Sequence, residues 1–267
     1  MDISILCKNF FIINVLLLFP LLLYGIIFSV TKKQNHRLLR NTFGHFGTLL
    51  FGIIGVPVHE LSHLLMCLLF RHKVTEVRLF RPIRSRQDAV LGYVRHKYNK
   101  NSIYQKIGCF FIGIAPMILG AFLIVLIMNF IYPTLLYAMI SFPSMDHLQI
   151  NKVLPVFLLN GRVILQTIFS NSSLHIRCLI GIYVILSIAL HMTISKADFL
   201  NAMSGFLLLE SIILIFSWIN LLLSTNTADI LRLLEQISSI LLSVLFISGI
   251  FQIVILLFSY LLYRILK

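Results

Sequence analysis

Two histidines and a glutamate, in the order His59-Glu60-x-x-His63, form the stretch of this chain whose spacing points to chemistry. Residues four apart on an α-helix lie about 40° apart around its axis, so both imidazoles can reach one ion. Zinc accepts two histidines as ligands, and the glutamate beside the first is placed to take a proton from a water on the metal. The spacing therefore predicts a Zn²⁺ site with His59 and His63 as ligands and Glu60 as general base.

The surroundings of the motif favour a functional role. The motif lies within Thr42–Phe70, an apolar run long enough to cross a bilayer, whose only other histidine or charged residue is His45. Ionisable groups at such depth are costly and are usually functional. The alternative is a chance match, in which two core histidines happen to stand beside an unrelated glutamate.

A motif of this kind inside a membrane helix resembles the site-2 protease family, intramembrane zinc metalloproteases that cut transmembrane segments of other proteins. The resemblance rests on His59 to His63, on the segment after them and on a later aspartate, and covers roughly a third to a half of the chain. It implies an endopeptidase whose third zinc ligand is an aspartate at the start of a later membrane helix.

Asp198 is the candidate for this third ligand. It lies in the connection 193–200, which a six-helix topology places on the same side as the end of the motif helix. Ser195, three residues earlier, also predicts a helix start, so the alternative role of Asp198 is helix capping. Unlike the family motif, no proline pair or following glycine flanks Asp198. Asp146 and Glu210 are the competing carboxylates, Glu210 as the ligand of another membrane zinc-enzyme family.

Two further polar residues have open interpretations. His191 is expected at a helix end or in support of a metal ligand. Glu210 is expected to pair with a histidine such as His45, to line a water path, or to be a tolerated helix-face residue.

Composition indicates an integral membrane protein: of 267 residues, 59% are hydrophobic and 12% are charged. The net charge is +13, but ten of the 22 lysines and arginines lie between Arg71 and Lys106, one connection between apolar runs. Cytoplasmic placement of that connection explains the charge, and with no nucleic-acid motif present, no nucleic-acid partner is expected. The four cysteines show no C-x-x-C spacing, which predicts buried thiols and neither disulfides nor a cysteine-type zinc site.

The apolar runs predict an all-α polytopic integral membrane protein with about six transmembrane helices, forming a single domain over residues 1–267. The expected spans are residues 10–30, 42–70, 107–132, 178–194, 205–224 and 237–263. Pro57 is expected to kink the second span or to start a new helix. Residues 132–176 are compatible with spanning, dipping into or lying on the membrane. The expected location is the plasma membrane of a bacterial cell.

The basic connection after the motif helix is expected to form a small β-hairpin at the membrane face. Residues 74–80 and 89–94 are rich in β-branched and aromatic side chains, and residues 81–88 between them are turn-like. The family resemblance implies that such strands hold a substrate in extended form, because a helical substrate keeps its carbonyls hydrogen-bonded. A plain connecting hairpin is the alternative.

These features predict an intramembrane zinc-dependent endopeptidase that hydrolyses peptide bonds in or near the transmembrane segments of other membrane proteins. Its expected partners are such a substrate and the lipid bilayer. The alternative from another class is a non-enzymatic polytopic membrane protein, such as a transporter or a partner of a secretion or signalling system. Such a protein would retain a metal or polar site without needing Glu60 as a base.

Overall fold

The structure is a computed structural model that describes residues 10–11, 13–131, 155, 162, 176–223 and 228–266. It is mostly helical, with one two-stranded sheet. In chain order its elements are a π-helical turn (Asn14–Leu18), α1 (Phe19–Leu69), β1 (Lys73–Arg78), α2 (Ser85–Asp88), β2 (Tyr93–Lys97), α3 (Ile103–Ile131), α4 (Ile176–His191), α5 (Lys196–Leu223) and α6 (Ala228–Leu266).

Within these residues, four helices are long and apolar enough to cross a membrane. They are Phe19–Leu69, Ile103–Ile131, Lys196–Ile219 and Gln236–Leu266, and Leu179–His191 is a shorter apolar helix. Large apolar side chains on their outer surfaces are exposed, among them Phe130, Leu207 and Ile265, as expected for helices that face lipid. The predicted helical class with a small two-stranded sheet is confirmed, and the four long apolar helices are consistent with a membrane protein, whereas the count of six spans stays a prediction. Asp146 and nearly all of the stretch 132–176 lie outside the described residues.

Helix α1 turns back on itself at Gly44, whose φ of 62° and ψ of −146° are not helical. A methyl group on Gly47 would lie 2.9 Å from the carbonyl carbon of Leu39, although residues eight apart on a straight helix are separated by about 12 Å. The helix therefore has two arms lying side by side, the first arm (residues 19–43) and the second arm (residues 45–69). The reversal uses a positive φ that favours glycine. Of the two alternatives expected at Pro57, a new helix does not begin there, because the helix continues through it.

Strands β1 and β2 pair antiparallel, which confirms the predicted hairpin. Val77 pairs with Val94 and Arg78 with Tyr93, and the register shifts between Val74 and Glu76. The second strand begins at Tyr93, later than expected, because the chain adopts a left-handed conformation at Ala89 (φ 58°) where α2 ends.

The hairpin lies along the second arm and not across its end. A methyl group on Gly92 would lie 2.8 Å from Cγ of Glu60, so the hairpin touches the middle of the arm. Near the hairpin tip, the carbonyl oxygen of Pro82 lies 2.8 Å from Nε2 of His45, at the start of the arm. His45 and Leu69 are about 36 Å apart at the rise of an α-helix, and the chain from Lys73 to Pro82 can cover about 30 Å when extended. The hairpin thus runs nearly the full length of the second arm.

This course separates the basic residues of the hairpin along the second arm. Arg84 and Arg86 of the hairpin tip lie at the Gly44 end of the second arm, near the basic residues of the first arm, whereas Lys73 lies at the opposite end. The two ends of the hairpin are separated in this way because β1 runs along the helix it follows. The expectation that all ten basic residues between Arg71 and Lys106 share one membrane face stays a prediction.

The core lies where the two arms meet α3, α4 and α6. Its largest fully buried side chains are Phe28, Phe110, Ile114, Met117, Ile124, Leu190, Met192, Leu245, Ile247 and Gln252. The second arm lies between α3 and α4, because Gly55 hydrogen-bonds to Ser187 of α4 and His63 to the Ile112 carbonyl of α3. This packing fixes the surroundings of the histidine motif.

Candidate metal centre

The two motif histidines are buried on one face of the second arm, and both are oriented by backbone carbonyls of neighbouring helices. Nδ1 of His59 lies 2.8 Å from the carbonyl oxygen of His191, and Nδ1 of His63 lies 2.8 Å from that of Ile112. A carbonyl oxygen only accepts hydrogen bonds, so each Nδ1 carries the hydrogen and each neutral ring keeps a lone pair on Nε2. This is how metal-binding histidines are usually oriented.

The two Nε2 atoms face each other at 3.2 Å. Two lone pairs at this distance repel unless a proton or a cation lies between them. The arrangement therefore suits a metal ion better than it suits two isolated neutral imidazoles.

Asp198, 135 residues later in the chain, meets the same two atoms. Its Oδ1 lies 3.4 Å from Nε2 of His63, and its Oδ2 lies 3.9 Å from Nε2 of His59. One ligand atom from each of the three residues lies within 4.8 Å of the others. Two imidazoles and one carboxylate are a donor set suited to Zn²⁺, with a fourth position open to water.

Two local features bring Asp198 to this position. Ser195 and Asp198 form a capping box at the start of α5, in which each side chain accepts a hydrogen bond from the backbone N–H of the other residue. Gly113 lets α5 approach α3, because a methyl group there would lie 2.5 Å from the Asp198 carbonyl oxygen and 2.6 Å from Cβ of Ala202. Gly113 follows Ile112, whose carbonyl orients His63, so one stretch of α3 aligns two of the three candidate ligands.

Glu60 lines the same cavity as the three candidate ligands. The cavity has a volume of about 510 Å³ and is bounded on one side by the start of β2. Glu60 itself is buried, with 7% of its surface exposed. A carboxylate beside a metal site in a cavity of this size can exchange a proton with a water molecule held there.

Lys32 also lines the cavity, although no pattern in the sequence identified it as a site residue. Its Nζ donates a hydrogen bond to Oγ1 of Thr193 at 3.1 Å. In sequence, Lys32 resembles the basic residue that commonly follows a membrane span. It reaches the site because the first arm continues as a helix to the Gly44 turn.

His191 supports His59 through its backbone carbonyl, in line with one of its expected roles. Its ring donates from Nδ1 to the Ser187 carbonyl at 2.9 Å, and its buried Nε2 has no hydrogen-bond partner among the described residues. The His191 ring, whose Nε2 can accept a hydrogen bond, also lines the cavity. The contact with His59 uses a backbone carbonyl, which every residue has. No pattern of side chains in the sequence could therefore predict it.

Glu210 lies away from the site. Its Oε2 accepts a hydrogen bond from Nδ2 of Asn14 at 3.1 Å, and His45 hydrogen-bonds to the hairpin tip instead. Both the expected pairing with His45 and the alternative of Glu210 as the third ligand are wrong. Three turns of α5 separate Glu210 from Asp198, a rise of about 18 Å.

No protein-family model, curated protein or solved structure matches this chain.

Proposed function

We propose that this chain is an intramembrane zinc-dependent endopeptidase of the kind its motif resembles, the site-2 protease family. One observation carries the proposal: Nε2 of His59, Nε2 of His63 and the Asp198 carboxylate converge beside Glu60, among helices apolar enough to cross a membrane. The proposed location is the plasma membrane of a bacterial cell, and the proposed substrate is a membrane protein cut in or near a transmembrane segment.

In this mechanism His59, His63 and Asp198 would hold the zinc ion, which would supply Lewis-acid chemistry by lowering the pKa of water and polarising the scissile carbonyl. Glu60 accepts a proton from the attacking water and passes it to the nitrogen of the leaving amine. A C–O bond forms, the peptide C–N bond breaks, and one water molecule is consumed. Nζ of Lys32 lies on the cavity wall and can donate a hydrogen bond to a substrate oxygen on which negative charge develops.

The hairpin suits an extended substrate. Residues Gly92 to Val94 line the cavity beside Glu60, and a strand at the edge of a two-stranded sheet has unpaired backbone groups on one side. A peptide paired with that edge would be extended, with its carbonyls released from helical hydrogen bonds. The hairpin would then present the scissile bond to Glu60.

Comparison of the native chain with Glu60→Gln tests the proposal. Both forms are expressed in the same membrane, and new protein N-termini are identified by mass spectrometry. The native chain should generate termini within transmembrane segments. Glu60→Gln should lower their yield at least 100-fold, in line with a general base worth about 10² to 10⁴ in rate, while keeping its zinc. Glu210→Gln, at a carboxylate that lies away from the site and bonds to Asn14, is the matched control and should retain activity.

Equal yields from the native chain and Glu60→Gln would refute the peptidase. Zinc retained in both forms, with no new termini in either, would favour the non-enzymatic membrane protein.

A further inference from the structure

A second group of metal-ligand atoms lies where the second arm ends and the hairpin begins. Sγ of Cys67 and one ring nitrogen each of His72 and His96 lie within 4.8 Å of one another. Cys67 is fully buried, His72 is buried and His96 is half-buried. Cys67 lies one helical turn beyond His63, so the group is adjacent to the first site; it shares none of that site's three candidate ligands, although His96 also lines the cavity beside them.

The ring of His72 is oriented as a ligand would be. Its Nε2 lies 2.8 Å from the carbonyl oxygen of Gln105, so Nε2 carries the hydrogen and Nδ1 of the neutral ring has the lone pair. Tyr98 stacks on this ring, with centroids 5.3 Å apart and planes 17° apart. A second ring nitrogen that donates to a backbone carbonyl is the usual support for a metal-binding histidine.

His96 completes the pair of imidazoles. Its Nδ1 lies 3.0 Å from Nδ1 of His72, a separation compatible with two ligands of one ion. Metal binding requires the neutral form of both rings.

We propose that Cys67, His72 and His96 form a second metal site, which binds a thiophilic divalent ion such as Zn²⁺. One thiolate and two imidazoles are ligands that zinc favours. Binding forms an S–metal bond and releases the thiol proton to solvent.

The site would connect the base of the hairpin to the motif helix. Cys67 belongs to the motif helix, His72 to the connection after it and His96 to β2, while the Gln105 carbonyl that orients His72 belongs to α3. An ion bound by these side chains fixes the base of the hairpin against the helix that carries His59 and His63. Its expected role is to hold β2 in a fixed position at the cavity wall.

Cobalt tests this site separately from the first one. A thiolate bound to Co²⁺ absorbs in the near ultraviolet, and only the second site contains sulfur. The native chain, purified in detergent and loaded with Co²⁺, should bind two ions and show this band. Cys67→Ser and His96→Gln should each lose the band and bind one ion fewer. Asp198→Asn should lose the other ion and keep the band, and Cys178→Ser, the control, should keep both.

Absence of the band from the native chain at saturating Co²⁺ would overturn the proposal without recourse to any variant. Unchanged metal content in both Cys67→Ser and His96→Gln would also overturn it, since a simple hydrogen bond between the two imidazoles would then explain their contact. Neither result affects the proposed peptidase, whose ligands include no cysteine.

Discussion

Ser195 and Asp198 exchange two hydrogen bonds across the first turn of α5. The Ser195 N–H donates to Oδ2 of Asp198 at 2.9 Å, and the Asp198 N–H donates to Oγ of Ser195 at 3.1 Å. The same carboxylate faces Nε2 of His63 through Oδ1. Helix capping and metal binding by Asp198 are alternatives in the sequence, but they are compatible in the structure. The cap supplies the orientation that a ligand needs.

Asp198→Asn should separate the two roles. The Asn side-chain oxygen can still accept from the Ser195 N–H, so the helix start should persist. An amide is a poor zinc ligand, and zinc affinity at the first site should fall more than 10-fold, because even residues that only support a ligand are worth about 10- to 100-fold. Chelator competition on the purified protein measures this. Native affinity in Asp198→Asn, with weaker binding in Asp146→Asn, would transfer the ligand role to Asp146.

Ser195→Ala should weaken the site indirectly. It removes one of the two capping hydrogen bonds at a cost of about 1 kcal/mol, and leaves the Asp198 carboxylate less firmly oriented. The expected result is a lower melting temperature and a zinc affinity between those of the native chain and Asp198→Asn. Ser195→Thr should restore both properties. Ser204→Ala, which removes a hydroxyl bonded to the Asn201 carbonyl within the same helix, should leave zinc affinity unchanged.

Gly113→Ala should displace the start of α5. The new methyl group would meet the Asp198 carbonyl oxygen at 2.5 Å and Cβ of Ala202 at 2.6 Å, so the two helices must separate. Zinc affinity should fall while the helix content measured by circular dichroism stays constant. The matched control is Gly249→Ala, whose methyl group would make an ordinary 3.5 Å contact with Phe28. Equal zinc affinities in the two variants would contradict this account of how Asp198 is positioned.

The course of the hairpin predicts a topology. The second arm is about 36 Å long, slightly more than the hydrocarbon thickness of a bilayer, and the exposed residues Arg84 and Lys100 lie towards its opposite ends. In a chain whose native cysteines are replaced, Arg84→Cys and Lys100→Cys should react with an impermeant thiol reagent from opposite sides of the membrane. Reaction of both cysteines from the same side would contradict this prediction and would place the whole hairpin at one membrane face.

Sequence patterns that span only a few residues determined much of the local structure of this protein. The four-residue spacing of His59 and His63 requires only one helical turn, and the two stretches of β-branched and aromatic residues with a turn-like connection between them are sufficient to predict a hairpin. Ser195 and Asp198 carry a capping signature that is also local. Each of these features depends on neighbours in sequence, so each can be predicted without knowledge of the fold.

Tertiary structure alone decided how these parts combine. The chain reversal at Gly44 brings Lys32 to the cavity, and the packing of α5 on Gly113 brings Asp198 to the histidines. Cys67, His72 and His96 meet because β2 returns antiparallel to β1 and brings His96 opposite Val74, two residues after His72, a contact that no cysteine spacing predicts. The carbonyls that orient the histidines belong to the backbone, which is alike in every residue. The positions of these carbonyls are set by helix packing, so they cannot be predicted from residue type.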